Sequence, residues 1–221
     1  MNLRQLFSIR QTPQSQAIPG TNQVLNEAGA KRIVVTCAHC YNTLANEYPQ
    51  VGGHYEVVHH TTLLARLVAD KRLTPVQRVD AAVTYHDPCY LGRHNGVYTP
   101  PRELLGALPG VTMTEMPRHG EKSFCCGAGG ARMWVEEKLG TRINLNRTSE
   151  AVAPGAARIA VGCPFCKVML SDGVNKFVES EVSPLAGGTA QIEVVDGQLP
   201  LRIAPDPDPQ QRGARRRRDD Q

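Results

Sequence analysis

Residues 158–170 read RIAVGCPFCKVML, and this stretch decides the fold. Its first four residues have the apolar content and length of a buried strand, and Pro164 suits the first turn of a helix that follows. The stretch therefore predicts a strand that runs into a helix. Cys163 and Cys166 lie at the junction of these two elements, one helical turn apart.

The same arrangement occurs earlier in the chain. Residues 33–40, IVVTCAHC, align with residues 159–166, IAVGCPFC, at a fixed offset of 126 residues. Leu44 and Leu170 match at the same offset. A repeat of this kind indicates two similar halves. We predict two repeated cysteine-rich α/β domains, with short, mainly parallel sheets flanked by helices, the first domain being incomplete.

The repeat also sets the predicted domain boundaries. At the same offset, the counterparts of Cys89, Cys125 and Cys126 would lie before Met1. The favoured interpretation is that the chain is the C-terminal part of a longer protein, and a naturally reduced first half is the alternative. The predicted divisions are an unassigned leader at 1–20, a truncated first domain at 21–80, a complete second domain at 81–182 and a disordered tail at 183–221.

The rest of the sequence alternates predicted strands and helices, which favours a layered α/β fold. The predicted strands are Ile33 to Thr36, Tyr55 to Val58, Ala81 to Tyr85, Val111 to Glu115 and Arg158 to Val161. The predicted helices are Tyr41 to Glu47, Thr62 to Ala69, Pro101 to Leu108, Ala131 to Leu139, Arg142 to Ala151 and Phe165 to Val178.

Five cysteines of the second half come from three separate segments of the chain. They are Cys89, Cys125, Cys126, Cys163 and Cys166. Soft thiolates that converge from several directions suit a polynuclear iron-sulfur centre. The chain has seven cysteines, an odd number, and lacks the apolar block of a secretory signal, so reduced thiols are favoured over a disulfide framework.

The adjacent cysteines, Cys125 and Cys126, point apart in an extended backbone and can serve one site only if the chain turns sharply. Gly127, Gly129 and Gly130 give the backbone that freedom and offer N–H groups for hydrogen bonds to sulfur. The sequence CCGAGG therefore predicts a cradle for a cluster.

Cys89 follows a predicted strand, and Pro88 before it stops the ladder and turns the chain. His86 is interpreted as a local turn or cap residue. His39, His59 and His60 receive no catalytic role.

Met133 and Trp134 are predicted to pack in the core. Arg93 and Arg132 lie near cysteines in the sequence but are left out of the predicted site, because exposed arginines are common.

Three phrases carry a resemblance to a known family: YHDPCYLGRHN at 85–95, CCGAGGARMW at 125–134 and GCPFCKVML at 162–170. They resemble the cysteine-rich CCG domain of heterodisulfide reductases and of the iron-sulfur reductases that take electrons from electron-transfer flavoprotein. The resemblance implies that the five cysteines hold one iron-sulfur centre, of the non-cubane 4Fe-4S type. It also implies redox subunits, electron-transfer flavoprotein or a membrane-anchored protein as partners.

Cys37 and Cys40 match only the last two ligands of the family's first domain. The resemblance implies that their site is empty or completed by another chain.

Charge and hydropathy limit the location and the partners. The formal net charge of +4 is matched by the run Arg215 to Arg218 alone, which is interpreted as a solvated end and not as a nucleic-acid site. No stretch approaches the roughly 18 apolar residues that cross a bilayer. We expect a cytoplasmic protein, or one held at the inner face of the plasma membrane by a partner.

The leading hypothesis is an electron-transfer subunit or fragment of an iron-sulfur oxidoreductase. Two alternatives stay open. Four of the five cysteines could form a closed tetrahedral zinc site in an interaction module with no redox role. The chain could also be an inactive remnant whose incomplete first half exposes apolar surface.

Overall fold

A computed structural model describes residues 13–135, 139–179 and 193–196 of the chain. Within these ranges strands alternate with helices, so the predicted α/β fold class is confirmed. The run Arg215 to Arg218 and most of the predicted tail lie outside the described residues.

The strands are short, and the two at the centre of the larger sheet are mostly buried. In chain order they are β1 (Arg32–Val35), β2 (Glu56–His59), β3 (Ala81–His86), β4 (Val111–Met113), β5 (Arg158–Val161) and β6 (Glu193–Asp196). The first five lie within two residues of the predicted strands at each end, because runs of apolar and β-branched residues between turns are a local signal.

The helices are α1 (Pro13–Glu27), α2 (Ala38–Asn42), α3 (His60–Ala69), α4 (Thr99–Gly106), α5 (Ile143–Val152) and α6 (Pro164–Glu179). A π-helical turn, Thr43–Glu47, and a 3-10 turn, Tyr48–Val51, continue the chain after α2. Five of the six predicted helices are therefore confirmed, with shifted ends.

Two parallel sheets organise the described residues. The smaller sheet pairs β1 with β2, and the larger has the order β4-β3-β5-β6. In the larger sheet His86, the last residue of β3, lies opposite Val161, the last residue of β5. Chain segments that leave these two strands therefore start side by side at one edge of the sheet, which is where parallel sheets usually place their ligands.

The internal repeat has a structural counterpart. Strands β1 and β5 begin and end at positions that differ by the same 126 residues, and each leads through a cysteine into a helix. Gly29 and Gly155, also separated by that offset, both have a positive φ, of 64° and 73°. Each of these strands is paired in parallel with a later strand that begins Glu-Val-Val, β2 in one case and β6 in the other.

Strand β6 falls within the segment predicted to be a disordered tail, so that prediction is wrong at these four residues. Val194 lies opposite Ile159 of β5, and both Val194 and Val195 are half-buried. The free edge of β5 offers unpaired backbone groups, and two adjacent valines bury enough apolar surface to occupy it. The Glu-Val-Val sequence shared with β2 was the signal that could have revealed this strand.

Helix α1 begins inside the predicted leader, which is wrong from Pro13 onward. Asn22 on α1 is buried, its amide donates a hydrogen bond to the Val51 carbonyl at 2.7 Å, and the Tyr55 hydroxyl donates one to its side-chain oxygen at 2.6 Å. The helix is thus held against the first half by polar side chains, which an apolar-periodicity search does not detect.

The predicted helix from Ala131 to Leu139 is wrong. Gly130 and Ala131 both have left-handed backbone angles, with φ of 65° and 60°, and only a 3-10 turn, Arg132–Trp134, follows. A right-handed helix does not propagate through such residues. Trp134 is 79% exposed, so its predicted core role is also wrong, whereas Met133 packs partly against the core as predicted.

The main core cluster surrounds the cysteine-bearing edge of the larger sheet. Cys126, Cys163 and Cys166 belong to it themselves. Its other large members are Leu91, Met116, Ile159, Met169, Leu170 and Val174, and Ala38 of the first half joins them. The site is therefore built into the core rather than attached to the surface.

Candidate metal centre

Two of the three cysteine segments reach the site from neighbouring strand ends. Cys89 follows β3 by three residues and Cys163 follows β5 by two. Helix α6 begins directly after Cys163, which places Cys166 on its first turn. Because β3 and β5 are paired, their register brings these thiols to the same edge of the sheet.

The third segment is the glycine-rich loop after β4. Gly127 has a φ of 89°, and its N–H donates to the Cys125 sulfur at 3.3 Å. This turn lets the adjacent cysteines face one site, with Cys126 buried and Cys125 half-buried. The predicted cradle is therefore observed at Gly127, and Gly130 supplies a second left-handed turn.

Gly127 can be tested by substitution. A Cβ at this position would lie 3.1 Å from both the Asn144 nitrogen and the Ile143 Cβ at the start of α5, and the positive φ adds backbone strain. We expect Gly127→Ala to lower the free energy of unfolding by about 1–3 kcal/mol and to reduce bound iron. Urea unfolding of the metal-free chain and iron analysis measure the two effects.

Gly129→Ala is the matched control, because a Cβ there meets no heavy atom within 4 Å and the φ is not positive. We expect it to change stability by less than about 0.5 kcal/mol. Equal effects of the two substitutions would show that the turn at Gly127 is not required.

The five predicted cysteines form one continuous series of interacting thiols. Cys125 interacts with both Cys89 and Cys126. Cys166 interacts with both Cys126 and Cys163. The structure therefore brings all five predicted residues together, in the spatial order Cys89, Cys125, Cys126, Cys166 and Cys163.

Two of these thiols are acidic and three are not. Hydrogen bonding from Cys126, and next from Cys89, lowers the pKa of Cys125 far below its usual range. Hydrogen bonding from Cys166 lowers the pKa of Cys163 to about 6. Donation to Cys125 raises the pKa of Cys126 to about 11 and raises that of Cys89. Thiolates thus alternate with thiols, and a metal would displace the remaining protons.

The pKa of Cys166 is raised as well, first by its hydrogen bond to Cys126. Its burial means that this thiol gives up its proton only to a strongly bound cation.

Arg93 lies at the open side of the site, although the sequence analysis left it out. Its guanidinium donates to the Cys89 sulfur at 3.7 Å and to the Ser123 carbonyl at 2.6 Å. The positive charge is therefore fixed beside the half-buried end of the thiol series. The spacing of four residues between Arg93 and Cys89 was the only sequence signal for this contact.

His86 is the residue that sequence reasoning missed most clearly. Its side chain is completely buried, and one of its ring nitrogens, the Cys126 sulfur and the Cys166 sulfur all lie within 4.8 Å of one another. Burial, and next the charge of Arg147, lowers the pKa of His86 to about 3, so the ring is neutral. No local pattern around His86 indicates this position.

Next to His86 in the chain, Asp87 anchors the strand end. Arg102 grips both of its carboxylate oxygens, at 2.7 and 2.9 Å, and also pairs with Glu115 at 2.6 Å. The Gly120 N–H donates to the same carboxylate at 2.8 Å. This network fixes the turn that carries Cys89.

The two remaining cysteines, Cys37 and Cys40, form a separate pair in the first half. Burial, and next the charge of Cys37, raises the pKa of Cys40, which is otherwise exposed. His39 between them approaches the second half, with its Nδ1 at 3.6 Å from the Cys163 sulfur. The first half thus touches the five-thiol site through an imidazole and not through its cysteines.

The donor set fits an iron-sulfur centre. Five soft ligands surround one position, three of them are buried, and a buried nitrogen of His86 has no hydrogen-bond partner among the described residues. A tetrahedral zinc site uses four ligands and would leave one thiol over. Among the described residues no helix is both long and apolar enough to cross a bilayer.

Comparison with protein families gives one match, to the family described as the cysteine-rich domain CCG, over residues 7–45 and 83–171. The second range contains all five clustered cysteines, and the first contains Cys37 and Cys40. The first range also begins inside the predicted leader, which agrees with the position of α1.

Three curated relatives illustrate the similarity. A probable iron-sulfur-binding oxidoreductase, FadF, of Bacillus subtilis is 50% identical over 153 residues, which cover 69% of this chain and 22% of the relative. An EtfAB:quinone oxidoreductase of Syntrophomonas wolfei is 46% identical over 76% of this chain and 24% of its own length. One subunit of the dihydromethanophenazine:CoB--CoM heterodisulfide reductase of Methanosarcina barkeri is 37% identical over 68% and 38%. The matched segment thus spans between about a fifth and two fifths of these proteins.

Proposed function

Because this chain belongs to the family of cysteine-rich CCG domains, we propose that it holds an iron-sulfur centre and acts as an electron-transfer component of an oxidoreductase. Similar proteins are iron-sulfur oxidoreductases or their subunits, which supports the redox role. The observation that carries the proposal is the single series of five interacting thiols.

In this proposal the ligands are Cys89, Cys125, Cys126, Cys163 and Cys166. The bound centre would supply one-electron oxidation and reduction, and five thiolates favour a 4Fe-4S cluster of the non-cubane type. The chain's own groups have three tasks. Cys126, Cys163 and Cys166 exclude water by being buried, Gly127 donates an N–H to sulfur, and Arg93 offsets negative charge at the open side.

The open side also supports a redox partner. Cys89 and Cys125 are only half-buried, and the loop that follows the cradle exposes Trp134, Val135 and Leu139 by 79%, 59% and 89%. Apolar side chains displayed in this way are typical of a docking surface. We infer that electrons pass here to or from electron-transfer flavoprotein or another redox subunit, at the cytoplasmic side and, through such a partner, at the plasma membrane.

We also propose that residues 21–80 and 81–182 are two repeats of one domain, and that only the second holds a complete ligand set. Cys37 and Cys40 would serve a second centre only if another chain or segment supplied further ligands. The interaction between Cys37 and Cys40, apart from the five-thiol series, supports this division.

The deciding experiment is anaerobic purification of the full chain, reconstitution with iron and sulfide, and analysis for iron, acid-labile sulfide and zinc. We expect a brown protein with iron and sulfide, and an electron paramagnetic resonance signal in one oxidation state. A colourless protein that binds zinc and takes up no sulfide would support the interaction module instead. The iron-sulfur proposal would then be abandoned.

A further inference from the structure

The ring of His86 is buried and held from one side only. The Arg147 Nε donates a hydrogen bond to the His86 Nδ1 at 3.0 Å. Arg147 is itself fully buried on α5, and its Nη1 donates to the Arg118 carbonyl at 2.7 Å and to Glu150 at 2.9 Å. The arginine therefore cannot turn away from the histidine without breaking two further hydrogen bonds.

This contact fixes which ring nitrogen carries the proton. An arginine guanidinium has only donor groups, so the His86 Nδ1 must accept and cannot be protonated. In a neutral imidazole the proton then lies on Nε2. Nε2 is thus a donor, and it has no lone pair to offer a metal.

The Nε2 atom of His86 is buried and has no hydrogen-bond partner among the described residues. A buried donor left unpaired costs about 1–3 kcal/mol. The groups beside the ring are the sulfurs of Cys126 and Cys166, which lie with one of its nitrogens inside 4.8 Å of one another. The missing acceptor is therefore expected on the sulfur side of the ring.

We propose that His86 donates a hydrogen bond from Nε2 to sulfur of the centre at Cys126 and Cys166, and that Arg147 is the positioning residue that fixes this tautomer. The inference rests on the proposed iron-sulfur function. A donor to sulfur stabilises the more negative, reduced state, so His86 raises the reduction potential.

A first test leaves the sequence unchanged. The full chain is labelled with ¹⁵N at histidine, loaded with iron and sulfide, and examined by pulsed electron paramagnetic resonance. A hydrogen-bonded nitrogen gives a weak coupling to the unpaired electron, and this is the expected result. A strong coupling of the size seen for a directly bound imidazole would overturn the proposal, as would the absence of any histidine coupling.

The second test compares His86→Leu with His86→Gln. Leucine removes the donor at similar volume, whereas the amide of glutamine can place an N–H near the former Nε2. We expect His86→Leu to have a lower midpoint potential at unchanged iron and sulfide content, and His86→Gln to recover most of that shift. His59→Gln changes a buried histidine of β2 and should leave the potential unchanged.

The two proposals fail in different ways. A wild-type chain that takes up no iron and sulfide removes the proposed function. A loaded wild-type chain whose potential is the same in His86→Leu removes only the role of His86. Should the leucine variant not load, the ¹⁵N coupling of the wild-type protein decides.

Discussion

Cys126→Ser is expected to abolish the iron-sulfur centre while leaving the polypeptide folded. Cys126 lies in the middle of the thiol series, between Cys125 and Cys166, and it is buried. A serine hydroxyl is a harder, weaker ligand for iron than a thiolate. We expect nearly all iron, acid-labile sulfide and the paramagnetic signal to be lost after reconstitution. Cys163→Ser should have the same effect.

The matched control is Cys37→Ser, because Cys37 interacts with Cys40 and not with the five-thiol series. It should keep most of the iron and the signal. Far-ultraviolet circular dichroism of each variant checks that the fold is retained. Equal losses from Cys37→Ser and Cys126→Ser would show that the first half also contributes ligands, and that the division into two repeats is wrong.

Asp87→Ala is expected to destabilise the protein by about 3–5 kcal/mol, because it breaks a buried ion pair and leaves charge unpaired. The Asp87 side chain is 1% exposed, and Arg102 holds both of its oxygens. The substitution also removes the acceptor for the Gly120 N–H. Urea unfolding of the metal-free chain measures the change in free energy.

Asp80→Ala provides the comparison for this experiment. Asp80 pairs with Arg78 at 2.7 Å, but both side chains are about 70% exposed. Exposed pairs contribute about 0–1 kcal/mol, so Asp80→Ala should be close to neutral. If the two substitutions had similar effects, the network around Asp87 would not be what holds the turn that carries Cys89.

Local sequence predicted most of the backbone correctly. Strand β5 has the predicted ends, and α5 and α6 differ from their predicted ends by one residue. Apolar periodicity and the proline after Cys163 are read over a few neighbouring residues, which is the range over which strands and helix starts are determined. The five ligands could be predicted for a similar reason, since cysteine is rare and its spacing is visible without coordinates.

The errors lie where distant parts of the chain decide. The Glu-Val-Val of β6 becomes a strand only because β5 has an edge to receive it. The segment after Gly130 looks helical, but two left-handed residues stop the helix at a 3-10 turn. Neither the edge nor those backbone angles can be read from residue type alone.

The sequence by itself determined the strand-to-helix junctions, the repeat and the kind of ligand, because each depends on residues close together along the chain. Only the tertiary structure decided how the thiols alternate in charge and which nitrogen of His86 carries its proton. That proton is fixed by Arg147, which lies 61 residues away. The direction of a hydrogen bond between such residues depends on how α5 packs beside β3, and packing has no local signature.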